Sequence, residues 1–289
     1  MQLSTLAPIL FVLLWSTGFV GAKLGLPYAE PFTFLWVRMV IVVGLLTGLA
    51  ALLRSPWPRG WVLNLHIGIS GLLLHTGYLG GVFFAISRGL PAGLSALIVG
   101  LQPILTAILA QFLLRERVSR VQWVGLLLGF AGVGLVVGEK ALSARLLSIE
   151  PPAFVAIVLA LLCTTLGTLY QKRFAVQMPL VGGTVVQYIA ASVGLFVMSL
   201  LFRETMQIQW TQPFVFALVW LVLVLSVGAI LLLMYLIRHN SASTVASLFY
   251  LVPPATALEA YFLFGERLGG WALLGMGLAA VGVALVVRR

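Results

Sequence analysis

Apolar runs of 18 to 24 residues, separated by short stretches bearing charge, Pro or Gly, follow one another along nearly the whole chain. A bilayer core about 30 Å thick is crossed by roughly 20 apolar residues in a helix. The pattern therefore predicts ten transmembrane helices: 5–22, 32–53, 63–86, 91–113 and 121–138, then 152–171, 181–202, 214–237, 242–264 and 269–287. The connections between them are short, which leaves no soluble domain to hold a nucleotide or a protein partner. The most open connection, 139–151, carries Glu139, Lys140, Arg145 and Glu150 and ends in Pro151-Pro152, the composition of a linker.

The second half of the pattern repeats the first at a constant offset of 150 positions. Arg88 matches Arg238, Pro103 matches Pro253, and Glu116-Arg117 matches Glu266-Arg267. Gly125, Gly132, Val136 and Val137 match Gly275, Gly282, Val286 and Val287. From 88 to 137 the ungapped comparison has 19 identities in 50 positions, which marks a duplication. The chain thus divides into repeat 1 (1–138), a linker (139–151) and repeat 2 (152–289), each with five helices. Two tandem repeats with an odd number of crossings lie upside down relative to each other. This is the inverted-repeat plan of many secondary transporters, with a substrate site near the midplane. A duplicated membrane scaffold that transports nothing is the alternative.

Composition agrees with an all-α integral membrane protein: 62% of residues are hydrophobic and 8% charged, with mean hydropathy +1.14. The net charge of +10 does not point to nucleic acid, because it follows topology. With the N-terminus in the cytoplasm, the even-numbered loops and the C-terminus hold ten Lys and Arg and the odd-numbered loops six, which favours both termini inside. The first apolar run lacks a basic start and a small-residue cleavage site and is followed by nine more, so it reads as a helix and not a signal peptide. A single cysteine, Cys163, excludes a disulfide framework or a thiol metal cluster. No metal or cofactor is expected.

Polar side chains at mid-helix are expensive in lipid and face the bundle interior or water. Trp15, His75, Tyr78, Gln102, Thr164, Thr165 and Tyr250 all fall at similar depth, with His75 and Tyr78 three residues apart on one helix face. Of these, Trp15, His75, Tyr78, Gln102, Thr165 and Tyr250 are the substrate-contact candidates, against the alternative of plain helix packing. Pro103 and Pro253 each free a carbonyl one turn earlier, as a pair of gates or broken binding helices, or as static bends. Gly125 and Gly129, matched by Gly275 and Ala279, allow close helix contact, either within the chain or at a dimer face. Arg38 and Glu259 are charges inside spans at matching depths from the odd-loop side, and the expectation is that they pair, directly or through water. That pair is either a static brace or an ion pair that breaks during transport, with Glu259 as a proton site. Glu259 matches Leu109, so it breaks the repeat symmetry where a coupling site would.

Several motifs together resemble the EamA repeat of the drug/metabolite transporter superfamily. They are Leu14-Trp15-Ser16-Thr17-Gly18-Phe19, Arg38, the Ala92-Gly93-Leu94-Ser95-Ala96 start and Pro103 of the fourth span, Arg115-Glu116-Arg117, and Gly125, Gly129 and Gly132. Tyr250-Leu251-Val252-Pro253-Pro254 and Gly265-Glu266-Arg267-Leu268 carry it in the second half. The resemblance covers essentially the whole chain and implies a ten-helix carrier of the bacterial inner membrane with a central cavity, many relatives being exporters of amino acids or other metabolites.

The rival classes fare worse. The chain contains no Asp, which removes aspartyl proteases, Asp-rich metal sites and aspartyl-phosphate pumps. Gly68-Ile69-Ser70-Gly71 formally matches the GxSG of serine proteases of the rhomboid type, but a histidine on a separate later helix is missing; His66, one turn before Ser70, is within reach of it near the even-loop boundary. No GxxxxGK[ST] sequence supports ATP-driven transport, and no ionisable ring or filter loop supports a channel. The expectation is an inner-membrane secondary transporter that moves a small organic metabolite by alternating access, with export of an aromatic or amphipathic amino acid ahead of nucleosides or drug-like cations. Its partners would be that small molecule and the lipid bilayer, as a monomer or a homodimer.

Overall fold

In a computed structural model the chain is described for residues 3–90, 95, 98–141, 150–264 and 269–287. Ala92, Gly93, Leu94 and Ala96, most of the 139–151 linker, Gly265 to Leu268 with the Glu266-Arg267 pair, and Arg288 and Arg289 lie outside the described residues. Among the described residues the protein is helical, with one isolated antiparallel bridge between Ala29 and Ile208.

The helices are α1 (Leu3–Gly25), α2 (Pro31–Leu52), α3 (Trp61–Ser87), α4 (Gln102–Leu113) and α5 (Arg120–Ala141). The second half gives α6 (Pro151–Ala175), α7 (Leu180–Leu201), α8 (Gln212–His239), α9 (242–264) and α10 (Gly270–Val287). Six of them, α2, α3, α6, α7, α8 and α10, are long and apolar enough to cross a bilayer, and shorter apolar stretches lie in α1, α4, α5 and α9. Among the described residues each expected span overlaps an apolar helix, the fourth through α4 from Gln102 onward, and regular helix breaks off at the prolines of the fourth and ninth spans. The chain turns at Gly100 and Leu101, directly before Gln102-Pro103. In α9 a 3-10 turn, Leu248–Leu251, precedes Val252-Pro253-Pro254. Proline has no N–H for the carbonyl four residues earlier, so the regular ladder is released at matching places in both halves.

A second matched irregularity has no proline to announce it. α3 passes through a π-helical stretch at Leu72–Gly77 and α8 through one at Leu221–Ala229. An offset of 150 carries the first onto 222–227, inside the second.

Two pairs of helices that the repeat equates, α5 with α10 and α2 with α7, pack antiparallel. α5 meets α10 through small residues: a Cβ on Gly125 would lie 2.6 Å from the Gly282 carbonyl oxygen, and one on Gly132 2.5 Å from that of Gly275. The stripe is therefore internal packing between α5 and α10, and Gly129 gives its space to the Tyr250 ring of α9. α2 meets α7 through Phe32 on Phe202, ring centroids 5.0 Å apart, and Trp36 on Phe196 at 5.4 Å.

Among the described residues the loop contacts fall into two groups, one at each end of the bundle. At one end Glu204 accepts hydrogen bonds from the backbone N–H groups of Phe32 (2.9 Å) and Thr33 (2.6 Å), capping α2 from across the bundle. Glu30 accepts from Thr205 N–H at 2.6 Å, and Arg88 lies 3.9 Å from Glu150. At the other end Lys172 donates to the carbonyls of Ile237 and Asn240 (2.8 and 2.5 Å), and Glu116 accepts from Ala242 N–H at 3.1 Å. The first group holds odd-numbered connections and the second even-numbered ones.

The α5–α10 crossing is testable by one methyl group. Gly132→Ala puts a Cβ against the Ala279 amide nitrogen and the Gly275 carbonyl oxygen, both at 2.5 Å. It should destabilise the purified protein by about 1–3 kcal/mol. Gly134→Ala, two residues on with nothing within 4 Å of its Cβ, should stabilise by up to about 1 kcal/mol from helix propensity alone. Thermal unfolding in detergent checks both signs.

Candidate functional site

Each candidate substrate contact lies near the middle of its helix or at a matched helix break, and the structure places three of them, Trp15, His75 and Tyr78, in two neighbouring clusters, with Gln102, Thr165 and Tyr250 outside the contacts of both. The first is formed by α2, α3, α7 and α8. His75, in the π stretch of α3, stacks on Tyr188 of α7 with centroids 4.6 Å apart and planes 21° from parallel. Tyr188 donates its hydroxyl to the Ser226 carbonyl at 3.1 Å. Arg38 of α2 donates through Nε to the Ser226 hydroxyl at 2.8 Å, within electrostatic range of both His75 and Tyr188. Ser226 therefore ties the arginine and the tyrosine together, and it belongs to the π stretch of α8.

The second cluster is formed by α1 and α9. Trp15 packs edge-on against Phe249 at 5.4 Å and tilts against Phe11 at 5.2 Å. Ser16, the next residue, donates to the Glu259 carboxylate. Tyr78, one turn beyond His75, lies beside the Trp15 side chain and so joins the clusters. His75 and Tyr78 thus engage different neighbours, Tyr188 and Trp15, where ordinary α spacing placed them on one face. The π stretch between them, with its i to i+5 bonding, changes the azimuth of every residue that follows.

Trp15 is 8% exposed, Tyr78 6%, His75 1%, and Gln102, Thr165 and Tyr250 not at all. Several are buried without a hydrogen-bond partner among the described residues: both ring nitrogens of His75, both amide atoms of Gln102 and the Tyr250 hydroxyl. Buried polar groups are nearly always partnered, so these atoms are available to a ligand. Thr165 differs, since its hydroxyl donates to the Leu161 carbonyl of its own helix at 2.8 Å; it reads as self-satisfied packing.

Arg38 and Glu259 form no direct pair. Among the described residues the one cation–carboxylate pair within 4.0 Å is Arg88 with Glu150; Arg38 turns to Ser226 and Glu259 to Ser16. Matching depth fixed the height of the two charges but not the side of the bundle each faces. Arg38 is 3% exposed, a buried cation without a carboxylate within that range. Glu259 keeps one buried oxygen, Oε2, without a hydrogen-bond partner.

The serine-protease geometry is absent at Ser70. Its hydroxyl donates to the Ile67 carbonyl and accepts from the Gln187 amide, both at 2.8 Å. His66 does not reach it; its ring pairs with the Tyr170 hydroxyl at 2.7 Å and stacks on Phe174. Gln187 also donates to Gln171 at 2.8 Å, so Ser70 belongs to a buried polar chain between α3, α6 and α7.

Tyr188, Ser226 and Ser16 were missed from the sequence. The rule that selected His75 would have selected Tyr188, a tyrosine well inside α7. Ser226 and Ser16 carry no such signal, because a small hydroxyl in a helix usually bonds its own backbone.

Comparison with known proteins agrees with this architecture. Residues 3–138 and 151–288 each match the EamA-like transporter family. The uncharacterised transporter YvbV of Bacillus subtilis is 28% identical over 286 residues, covering 95% of this chain and 88% of that protein. The uncharacterised inner membrane transporter YedA of Escherichia coli is 27% identical, with 99% and 91% covered. A probable amino-acid metabolite efflux pump of Salmonella typhimurium is 27% identical, with 96% and 93% covered. A solved crystal structure superposes with a TM-score of 0.79 at 22% identity, covering 98% of this chain and 96% of that one, a likeness of fold. With both halves matched, this multi-pass membrane protein belongs to the EamA-like transporter family.

Proposed function

We propose that the protein is a secondary carrier of the bacterial inner membrane that exports a small carboxylate-bearing metabolite, an amino acid with a flat or apolar side chain, by alternating access. The observation that carries this reading is the set of buried, unpartnered polar atoms on His75, Gln102 and Tyr250 at the matched irregularities of the helices. Ten crossings in two inverted five-helix repeats supply the frame. Its support is the antiparallel crossing of equivalent helices and the separation of odd and even loops. The charge bias of the loops favours both termini in the cytoplasm, and the relative YedA is named an inner membrane transporter.

Within that frame the residues divide the ligand between them. Arg38, buried and held by Ser226, meets the carboxylate, because a buried cation is stable only with a counter-charge or full hydrogen bonding. His75, with both ring nitrogens open, and Gln102 hold the polar part. Trp15, Tyr78 and Tyr250 present rings to the side chain, where stacking favours flat groups. The Salmonella relative's name, an amino-acid metabolite efflux pump, points the same way. Thr165 is set aside as packing. Pro103 and Pro253 act by breaking α4 and α9, which places freed backbone carbonyls beside the site. Glu259 is the proton-coupling candidate: Ser16 holds one of its oxygens and the other is buried and unpartnered, so a proton can be taken up there.

The test is uptake of a panel of radiolabelled amino acids into proteoliposomes, with and without an imposed pH gradient. One class should be taken up saturably, and His75→Ala should lower its uptake about tenfold or more, on the order of 1.4 kcal/mol of binding. No saturable uptake of any class, or full uptake by His75→Ala, contradicts the assignment.

Two further variants separate the roles. Arg38→Met should fold, since replacing a buried charge with an apolar side chain of similar length is often neutral, yet lose carboxylate uptake; retained uptake removes Arg38 from the site. Glu259→Gln should keep binding and lose the response to the pH gradient. If Glu259→Gln and Glu259→Ala both transport at the parent rate with unchanged pH dependence, Glu259 does not couple.

A further inference from the structure

The two end faces of the bundle each hold a cavity, and the repeat relates one to the other. On the odd-loop face a cavity of about 520 Å³ lies between the α1–α2 connection, the end of α3 and the α7–α8 connection. On the even-loop face a cavity of about 10 Å³, room for a single water, lies between the α6–α7 connection and the end of α8. Six of the eight residues lining the small cavity, Val176, Met178, Leu180, Met234, Ile237 and Arg238, stand 150 positions after residues that line the large one. The same architectural site is thus nearly shut at one end and wide at the other.

An arginine occupies the same corner of both. At the shut end Arg238 donates to the carbonyls of Val176 (3.3 Å) and Met178, and Lys172 donates in return to the carbonyls of Ile237 and Asn240. These four bonds staple the α6–α7 connection to the end of α8. At the open end the equivalent acceptors are Leu26 and Tyr28, and the equivalent donor is Arg88. Arg88 is turned away from them: its guanidinium lies over the Phe84 ring, 5.1 Å from the centroid, and 3.9 Å from Glu150. Lys172 is matched by Ala22, so the arginine is the staple that both ends share.

We infer that Arg88 and Arg238 are reciprocal gate latches of the transport cycle. The structure is the state in which Arg238 is latched and Arg88 released; in the opposite state Arg88 swings onto the Leu26 and Tyr28 carbonyls, the odd-loop cavity closes, and Arg238 lets the even-loop cavity open. The inference rests on the inverted-repeat carrier reading. The two ends are coupled because a rocking of one half against the other narrows one cavity as it widens the other. Neither arginine touches the ligand; both act by setting which end is open.

The test needs no substrate. In the full-length chain in lipid vesicles, with Cys163→Ala as background, a single reporter cysteine is introduced as Met178→Cys at the shut end or Tyr28→Cys at the open end. The rate of alkylation by N-ethylmaleimide is then measured. Arg238→Ala should raise the rate at position 178 about tenfold and lower the rate at position 28 by a similar factor, a population shift between two states. Arg88→Ala should leave 178 slow and 28 fast, and Arg238→Lys, which keeps a donor, should stay near the parent. A rise at 178 without a fall at 28 shows the ends to be independent and overturns the proposal, as does no change at either. If Arg238→Ala fails to fold, raising both rates together, Lys172→Ala decides: it must give the same opposed changes. A chain that transports nothing can still show these changes, and a working carrier can lack them, so the two readings fail separately.

Discussion

In the hydrocarbon core no water is present to bond a free peptide group, so each departure from a regular helix must be enclosed by protein or line a polar cavity. This constraint orders the rest of the structure. Among the described residues the π stretches of α3 and α8, the turn before Pro103 and the 3-10 turn before Pro253 are irregular backbone that recurs in both halves, while a further π stretch at Gln171–Ala175 ends α6 without a counterpart. The matched stretches carry His75, Ser226 and Tyr250 themselves, with Gln102 beside them. Irregular backbone and buried polar side chains thus fall on the same helices, and polar groups inside a lipid-embedded bundle are candidates for function.

The scaffold holds that place by close, regular contact elsewhere. α5 and α10 approach through glycines until a backbone oxygen occupies the space of a Cβ, and α2 and α7 interlock through aromatic rings. Both pairs join a helix of one half to its equivalent in the other. The matched irregular backbone lies in other helices, α3, α4, α8 and α9, so the close-packed pairs and the breaks are carried by different parts of each half.

Most of the fold was legible from spacing alone. The apolar runs marked where the described helices lie, and the 150-residue offset pairs the helices α5 with α10 and α2 with α7 that pack together. Pro103 and Pro253 marked the breaks in α4 and α9 because proline removes a donor wherever it stands. The π stretches were not legible: Leu72–Gly77 and Leu221–Ala229 contain no proline, and an extra residue per turn leaves no trace in a run that is apolar on all sides. That is why His75 and Tyr78, three apart, engage different neighbours. The direct Arg38–Glu259 pairing failed for a related reason, since counting from a helix end gives depth but not azimuth, and Arg38 faces α8 while Glu259 faces α1. Thr165 was chosen on depth as well, and its own helix satisfies it.

The central claim, that a carboxylate-bearing ligand is held at the matched helix breaks by Arg38 and His75, is most directly tested by ligand-induced thermal stabilisation of the purified protein. Amino acids would be compared with their decarboxylated amines. A ligand that binds the folded state alone at a hundredfold excess over its dissociation constant adds about 2.7 kcal/mol, well within reach of a melting measurement. The account predicts saturable stabilisation by an amino acid and none by its amine, abolished in Arg38→Met and in His75→Ala. Equal stabilisation by acid and amine, or stabilisation that survives both substitutions, would place the ligand elsewhere and contradict it.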